Sequence, residues 1–244
     1  MIKVLAYPLT IIYYVFFGLT LAVFHPIQWI CFNALGYRAH KKSVDLLNWF
    51  LTRCLHILVV RYTFKVPRDI PENVPVIIVA NHQSMNDIPP IIWFMRRFHV
   101  KFISKKELGK GLPSVSYNLR HGGSVLIDRK NPIQAVNAIK KMANYIETHN
   151  RAVVIFPEGS RSRDGKPKPF KIKGLTTLLE NSPNAIVIPI TINNSWKLLR
   201  YGKFPMGLGA HIKFTVHNPI QVSKYKTDEL IDSVERQITN AVIK

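Results

Sequence analysis

The sequence predicts an α/β fold, with a mixed, largely parallel sheet flanked by helices and an N-terminal membrane-embedded helical hairpin or span. From about residue 44 onward, short runs rich in β-branched and aromatic residues alternate with stretches of helical periodicity. Residues 4–37 contain no Asp, Glu, Lys or Arg. The formal net charge of +20 accompanies 47% hydrophobic residues, and this combination favours a membrane surface over free nucleic-acid binding. We therefore predict a membrane anchor in residues 1–37 and an α/β domain in residues 38–244.

The anchor segment consists of two apolar stretches. Leu5–Phe24 is long enough to cross a bilayer, whereas Ile27–Leu35 is too short to cross alone. Pro26 separates them and is expected to break or kink a continuous helix. A single span and a helical hairpin embedded in one leaflet both fit this pattern. A cleaved signal peptide fits less well, because no small-x-small cleavage site follows the apolar run.

Positive charge gathers directly after the anchor, at Arg38, His40, Lys41 and Lys42. An excess of Lys and Arg on one side of a membrane segment predicts that this side is cytoplasmic. The same side chains can contact anionic lipid headgroups.

The rest of the chain divides into strands and helices. The expected strands are Tyr62–Val66, Val76–Ala80, Val100–Ile103, Ser124–Ile127, Val153–Phe156, Ile186–Ile192 and Ala210–Val216. The expected helices are 44–60, Ile88–Phe98, Pro132–Thr148 and Thr227–Ile243. Pro189 lies within one expected strand and predicts that this strand is at an edge or carries a bulge.

The stretch 81–87, Asn-His-Gln-Ser-Met-Asn-Asp, directly follows an expected strand. His82 is thus at the carboxyl end of a strand, where open α/β sheets place ligands, and Asp87 is near a helix start. A carboxylate can fix the tautomer of an imidazole while the other ring nitrogen takes a proton. Taken alone, these residue types are more typical of a surface or packing histidine and a helix-capping aspartate than of a catalytic pair. A zinc site would need further ligands at suitable spacing, and the neighbouring sequence offers none.

Two further stretches, 123–129 and 156–162, also follow or contain an expected strand. Arg129 ends the first, and Arg161 belongs to a Pro-Glu-Gly turn in the second, where it can hold a phosphate bidentately. Because carboxyl ends of parallel strands share one rim, a base, an acid and two arginines are expected to converge there. Neither a serine nucleophile elbow nor a cysteine motif is present in the sequence, so direct transfer without a covalent enzyme intermediate is the simplest scheme.

In this order, N-H-x-x-x-x-D, G-x-x-x-I-x-R, F-P-E-G-x-R-S and an x-P-I strand resemble the four motif blocks of the glycerolipid acyltransferases. In length and layout the chain is most similar to the 1-acyl-sn-glycerol-3-phosphate (lysophosphatidic acid) acyltransferases of bacteria. The blocks run from about residue 81 to 190, and the family layout also accounts for an N-terminal anchor, favouring the hairpin over the single span.

The resemblance implies roles for individual residues. It makes His82 the general base and Asp87 its orienting partner. It implies substrate contacts or pocket-shaping roles for Lys105, Gly123, Arg129, Glu158, Gly159, Arg161 and Pro189. Arg129, with Gly123 shaping the turn, would bind the glycerol phosphate, and Lys105 would be a further phosphate contact. Glu158, Gly159 and Arg161 would shape the acceptor site, Pro189 would line the acyl or acceptor pocket, and backbone N–H groups near Gly159 would stabilise the oxyanion.

The implied activity is transfer of a fatty acyl group from acyl carrier protein or acyl-CoA to the sn-2 hydroxyl of lysophosphatidic acid. It needs no metal and no organic cofactor. The expected partners are these substrates and anionic membrane lipids, not nucleic acid, and the expected location is the cytoplasmic face of the inner membrane. Another acceptor, such as glycerol 3-phosphate or a different lysophospholipid, remains open, as does a non-catalytic membrane-binding module.

Overall fold

The computed structural model describes residues 2–243, which form an eight-stranded sheet between two layers of helices. The strands are β1 (Arg61–Lys65), β2 (Val76–Ala80), β3 (Lys101–Lys105), β4 (Val125–Ile127), β5 (Ala152–Ile155), β6 (Ile186–Asn193), β7 (His211–Val216) and β8 (Ile220–Gln221). The helices are α1 (Ile2–Ala34), α2 (Tyr37–Cys54), α3 (Ile88–Phe94), α4 (Val115–His121), α5 (Pro132–His149), α6 (Ile172–Glu180) and α7 (Thr227–Asn240).

The strand order is β1-β7-β6-β2-β5-β3-β4, with β8 paired to β6 beside β7. Strands β6, β2, β5, β3 and β4 are parallel, whereas β7 and β8 run antiparallel to β6, and β1 follows β7. The predicted fold class, a mixed and largely parallel sheet flanked by helices, is confirmed. The carboxyl ends of β2, β5, β3 and β4 therefore meet at one edge of the sheet, which we call the catalytic rim.

The central strands are apolar on both faces. Every residue of β2 and β5 is buried, as expected for parallel strands covered by helices on each side. On one face, alternate residues of β2 such as Ile78 pack with α2 and α3, and on the other, residues such as Ile77 pack with α5, α6 and α7. These two apolar layers hold the rim in place from both sides.

The edge position predicted for Pro189 is wrong, because β6 lies inside the sheet between β2 and the β7–β8 pair. The alternative, a bulge, is confirmed, because the register between β6 and its antiparallel neighbours shifts by one residue at this point. The chain tolerates a residue without an N–H here because the antiparallel ladder changes partner. Pairing with β7 ends at Ile190–Val216, and pairing with β8 begins at Val187–Ile220. The carbonyl of Pro189 still accepts a hydrogen bond from the His217 N–H at 2.9 Å.

Two short helices, α4 and α6, were not predicted, and α2 begins seven residues earlier than the predicted helix 44–60. Helix α6 spans nine residues and contains Gly174, which weakens its helical propensity. Its burial of Leu175, Leu178 and Leu179 against the sheet overrides that propensity. In so short a segment, the spacing of apolar residues does not distinguish a helix from a strand until the surface on which it packs is known.

Pro26 does not break the first helix, contrary to the prediction. Helix α1 continues through both Pro8 and Pro26, and it alone among the described helices is long and apolar enough to cross a membrane by length and composition. Packing holds both sides of Pro26, since Leu21 and Phe24 contact α2 and Asn33 donates to the Tyr117 hydroxyl at 3.1 Å. The chain then turns at Gly36, which has a φ of +79°, and α2 returns against α1.

Helix α1 contacts the α/β domain along nearly its whole length. Near its start, Thr10 Oγ1 accepts a hydrogen bond from the Met206 N–H at 2.9 Å. Further along, the Leu21 carbonyl accepts from Ser114 Oγ at 2.7 Å, and Asn33 contacts Tyr117. The opposite side of the helix exposes large apolar side chains throughout, including Ile11, Val15, Leu19, Val23, Ile27 and Ile30.

Candidate active site

His82 and Asp87 form a direct hydrogen bond at the catalytic rim. The distance from His82 Nδ1 to Asp87 Oδ2 is 2.9 Å, and the Asp87 side chain is fully buried while 16% of the His82 side chain is exposed. With Nδ1 held by the carboxylate, Nε2 is the ring nitrogen left to exchange a proton. The arrangement matches a general base and its orienting partner.

The carboxylate of Asp87 also organises the loop that brings it to the ring. Its Oδ2 accepts hydrogen bonds from the N–H groups of Gln83 and Ser84, both at 2.8 Å. Ser84 caps the 3₁₀ turn Met85–Asp87, and Asp87 completes a capping box. The Asp87 side chain therefore does not cap α3, although the sequence suggested that it would; its Oδ2 atom both contacts the histidine ring and closes the preceding turn.

The third motif fixes the main chain of His82. Glu158 Oε1 accepts the His82 N–H at 2.7 Å, and the Ser162 N–H donates to the His82 carbonyl at 2.7 Å. The His82 ring stacks on Phe156, with centroids 4.1 Å apart. Burial raises the pKa of Glu158 above its usual range, while hydrogen bonds from the His82 and Lys168 N–H groups oppose that shift.

Three cationic residues belong to segments at the same rim. Arg129, directly after β4, donates through its guanidinium to the Gly159 carbonyl, which joins the second motif to the third. Lys105 ends the neighbouring strand β3 and is exposed. Arg161 lies in the loop after β5, where its carbonyl accepts from Lys168 Nζ at 2.9 Å. The predicted convergence of the first three motifs is therefore observed.

Gly159 has a structural reason to be glycine. Its φ is +69°, and a Cβ there would meet the Lys171 side chain at 3.0 Å. Its own N–H donates to the Phe156 carbonyl at 3.0 Å, which completes the turn. The expectation that N–H groups near Gly159 stabilise an oxyanion therefore cannot use that of Gly159 itself.

Two of the residues implied by the resemblance lie away from the rim. Gly123 is at the amino end of β4, with a φ of +87°, and a Cβ would lie 2.8 Å from the Tyr145 hydroxyl and 3.5 Å from Lys101 Cε. Pro189 is buried in β6 and pairs with Val79 of β2, which precedes His82 by three residues. Both positions shape the sheet that carries the site.

Two buried amides beside His82 were not singled out from the sequence. Asn81 bridges β2 to β6, donating to the Ile192 carbonyl at 2.9 Å and accepting from its N–H at 2.7 Å. Gln83 Oε1 accepts the Ser195 N–H at 3.0 Å. Both amides flank the histidine directly after a wholly apolar strand. Because buried amide groups need hydrogen-bond partners, this position indicates a structural role for the two side chains.

Replacing Asn81 with alanine is expected to lower the free energy of unfolding by about 1–3 kcal/mol, because it leaves the N–H and C=O of Ile192 without partners in the core. Urea denaturation in detergent, followed by circular dichroism, measures the change. The matched control is Asn137→Ala on the exposed face of α5. Equal stability of the two variants would contradict a bridging role for Asn81.

Helix α1 also reaches the site. The Tyr13 side chain is buried, and its hydroxyl donates to Asn86 Oδ1 at 3.4 Å. Asn86 Nδ2 in turn donates to Ser84 Oγ at 3.3 Å. The N-terminal segment is thereby linked through two side chains to the loop that holds Asp87.

Comparison with known proteins agrees with this geometry. A family model described as Acyltransferase matches residues 61–193. The chain is 30% identical over 168 residues to a chloroplastic 1-acyl-sn-glycerol-3-phosphate acyltransferase of Brassica napus, covering 69% of this chain and 46% of that protein. It is 24% identical over 193 residues to the Haemophilus influenzae 1-acyl-sn-glycerol-3-phosphate acyltransferase, covering 79% of this chain and 78% of the relative. The chain spans about half the length of the first curated relatives that it matches.

A solved structure is similar over nearly the whole chain. The crystal structure of the 1-acyl-sn-glycerophosphate acyltransferase PlsC from Thermotoga maritima has a TM-score of 0.74 and 25% sequence identity. The similarity covers 98% of this chain and 95% of that one. The family model spans more than half of the chain and includes β1 to β6 with all four motifs, and the chain therefore belongs to the Acyltransferase family.

Proposed function

We propose that this protein transfers a fatty acyl group from an acyl thioester to the sn-2 hydroxyl of lysophosphatidic acid, producing phosphatidic acid. The observation that carries the proposal is the His82–Asp87 hydrogen bond of 2.9 Å on a rim that also bears Arg129 and Arg161. A base beside two guanidinium groups suits an acceptor that presents a hydroxyl close to a phosphate. The names of the curated relatives support the same acceptor.

The proposed chemistry needs one base and no enzyme nucleophile. Nε2 of His82 takes the proton of the sn-2 hydroxyl as its oxygen forms a bond to the thioester carbonyl carbon. The negative charge moves to the carbonyl oxygen, where backbone N–H groups of the 160–161 region stabilise it. The C–S bond then breaks, and the departing thiolate takes the proton from Nε2. Asp87 holds Nδ1–H throughout and stabilises the transient imidazolium.

Arg129 tests the acceptor phosphate directly. In Arg129→Gln we expect kcat/KM for lysophosphatidic acid to fall about 10- to 100-fold, because a charge-assisted hydrogen bond contributes about 1.5–3 kcal/mol. With monoacylglycerol, which lacks the phosphate, the variant and the wild type should differ little. Initial rates with both acceptors in detergent micelles measure this.

The control for that experiment is Arg236→Gln on the exposed face of α7, which removes the same charge at a distance from the rim. A loss in Arg129→Gln that is equally large with monoacylglycerol would contradict a phosphate contact. A panel of lysophospholipids and glycerol 3-phosphate assayed with the wild type separates the acceptors, and absence of transfer to every acceptor would favour a membrane-binding module.

The acyl donor in this proposal is acyl carrier protein or acyl-CoA. Both are anionic, so the net charge of +20 suits either one. Parallel assays with the same acyl chain on the two carriers distinguish them. The carrier that gives the much higher kcat/KM is then assigned as the acyl donor.

We propose that α1 and α2 attach the enzyme to the cytoplasmic face of the inner membrane without a perpendicular crossing. The contacts of α1 with Met206, Ser114 and Tyr117 span about 35 Å of helix at 1.5 Å per residue. A helix held by the domain at both ends cannot leave it to cross a bilayer. Its exposed apolar side would instead lie within one leaflet. The hairpin predicted within residues 1–37 is wrong, because those residues form one helix, and α2 is the second helix of this proposed attachment.

A further inference from the structure

A second cationic site lies at the opposite end of the sheet from the catalytic rim. It is an open groove of about 760 Å³ lined by Arg38, Lys41, Lys42, Arg68, Arg96 and Arg97, which we call the cationic groove. Asp45 is its one acidic lining residue. Six cations against one carboxylate on one concave surface indicate a site for an anion.

The topology separates this groove from His82. His99, which lines the groove, precedes β3, whereas the rim is formed by the carboxyl end of the same strand. Arg68 follows β1, which runs antiparallel to β2. Because a five-residue strand such as β2 spans about 17 Å, an anion in the groove cannot reach the catalytic base.

Most of the positive charge in the groove is unpaired. Lys41 forms an ion pair with Asp45, and Arg97 one with Glu72 at 3.0 Å. Within residues 2–243, Arg38, Lys42 and Arg68 make no ion pair. All three side chains are exposed, so an incoming anion meets them directly.

A row of aromatic rings runs from the interface between α1 and α2 to this groove. Phe24 of α1 contacts Phe50 of α2, with centroids 5.6 Å apart. Phe50 contacts Trp49 at 4.8 Å, and Trp49 contacts Trp93 of α3 at 6.4 Å. The Arg96 guanidinium then lies 4.2 Å over the Trp93 ring, at the edge of the groove.

This sequence of surfaces follows the layers of a membrane. Apolar helix faces suit the acyl chains, tryptophan rings concentrate at the membrane–water interface, and Lys and Arg pair with anionic headgroups. Leu46 and Phe50 add exposed apolar side chains on α2, the helix whose first turns line the groove. The positive charge would also attract an acidic carrier protein. Such a partner would make no use of the adjoining apolar and aromatic residues. It would also bind far from His82, where its acyl group must react.

We propose that the cationic groove binds the headgroup of an anionic phospholipid while the aromatic rings from Phe50 to Trp93 lie in the adjoining membrane interface. The bound lipid is a component of the membrane and is distinct from the acceptor at the catalytic rim. The inference rests on the proposed function only in taking the protein to work at a membrane. It gives the enzyme a preference for anionic membranes that does not depend on turnover.

Vesicle binding by the full-length protein tests this inference. The groove variant carries Arg38→Glu, Lys42→Glu and Arg68→Glu. The matched control carries Lys140→Glu, Lys224→Glu and Lys226→Glu, which change the net charge equally at exposed positions of the α5 and α7 side. Partitioning is measured onto vesicles of phosphatidylcholine alone and of phosphatidylcholine with roughly one-fifth phosphatidylglycerol.

For the wild type and the control variant, we expect anionic lipid to strengthen partitioning. In the groove variant that preference should fall by about 30-fold or more, because each Lys or Arg near an anionic surface contributes about 1 kcal/mol. Partitioning onto phosphatidylcholine alone should change little. An equal loss in the two variants would overturn the site in favour of the overall charge of the protein.

Two further measurements separate this inference from the proposed function. Acyl transfer in neutral detergent micelles should be the same for the wild type and the groove variant, and absence of transfer by both would refute the proposed function while leaving the lipid test intact. If the groove variant keeps its lipid preference but loses only kcat/KM with acyl carrier protein as donor, the groove binds that carrier and the lipid inference is wrong.

Discussion

Replacing His82 with alanine is expected to lower kcat for acyl transfer by about 10²–10⁴-fold, the usual contribution of a positioned general base. Glu158, the carboxylate that contacts the main chain of His82, cannot take over the role, because it is buried with both oxygens accepting main-chain N–H groups. KM for lysophosphatidic acid should change little, since the imidazole contacts the reacting hydroxyl and not the phosphate. Single-turnover rates with a radiolabelled acyl donor measure the chemical step.

His149→Ala is the control for that experiment. His149 is exposed at the end of α5 and packs on the Tyr145 ring, with centroids 4.7 Å apart, far from the rim. It should retain the wild-type rate. A folded His82→Ala protein with full activity would refute the proposed mechanism, whatever the outcome for the control.

Two substitutions of Asp87 distinguish the effect of its negative charge from that of the hydrogen bonds it accepts. In Asp87→Asn, an amide oxygen at the Oδ2 position can still accept from His82 Nδ1–H and from the Gln83 and Ser84 N–H groups. The negative charge that stabilises the imidazolium is lost, and an NH₂ group replaces Oδ1, which accepts no hydrogen bond from the described residues. We expect kcat to fall about 10²-fold or more, while the main-chain N–H groups of the loop keep their acceptor.

Asp87→Ala removes both contributions. It leaves the N–H groups of Gln83 and Ser84 without their acceptor in a buried loop, so the free energy of unfolding should fall by about 1–3 kcal/mol in addition to the loss of activity. Chemical denaturation and kinetic assays on the two variants give the comparison. If Asp87→Asn kept the wild-type kcat, the carboxylate would be a structural cap alone.

Much of the fold and site was predictable, because its causes are local in the sequence. The apolar strand before His82 and the arginine after β4 identify a rim without any knowledge of packing. The parallel arrangement follows from strands alternating with helices, and it brings Arg129 and Glu158 to the histidine.

The errors arose where contacts distant in sequence decide the outcome. Pro26 stays within one helix because α2 and α4 support both of its sides. Pro189 is inside the sheet and not at its edge because β7 and β8 both pair with β6, with the bulge between them. Gly123 belongs to the same motif as Arg129, but the three-residue strand β4 separates the two, so Gly123 lies at the other end of the sheet. The hydrogen bonds of Asn81 and Gln83 depend on partners more than a hundred residues away, which no local pattern identifies.

The way in which the main chain of His82 is held has a consequence for synthesis of the protein. The groups that fix residues 81–83 come from Glu158, Ser162, Ile192 and Ser195, and all of these leave the ribosome long after the histidine does. A nascent chain that ends before Glu158 contains the complete first motif, including Asp87, but lacks all four of these partners. The main chain on both sides of His82 therefore reaches its final geometry only after the segments from Glu158 to Ser195 have folded onto it.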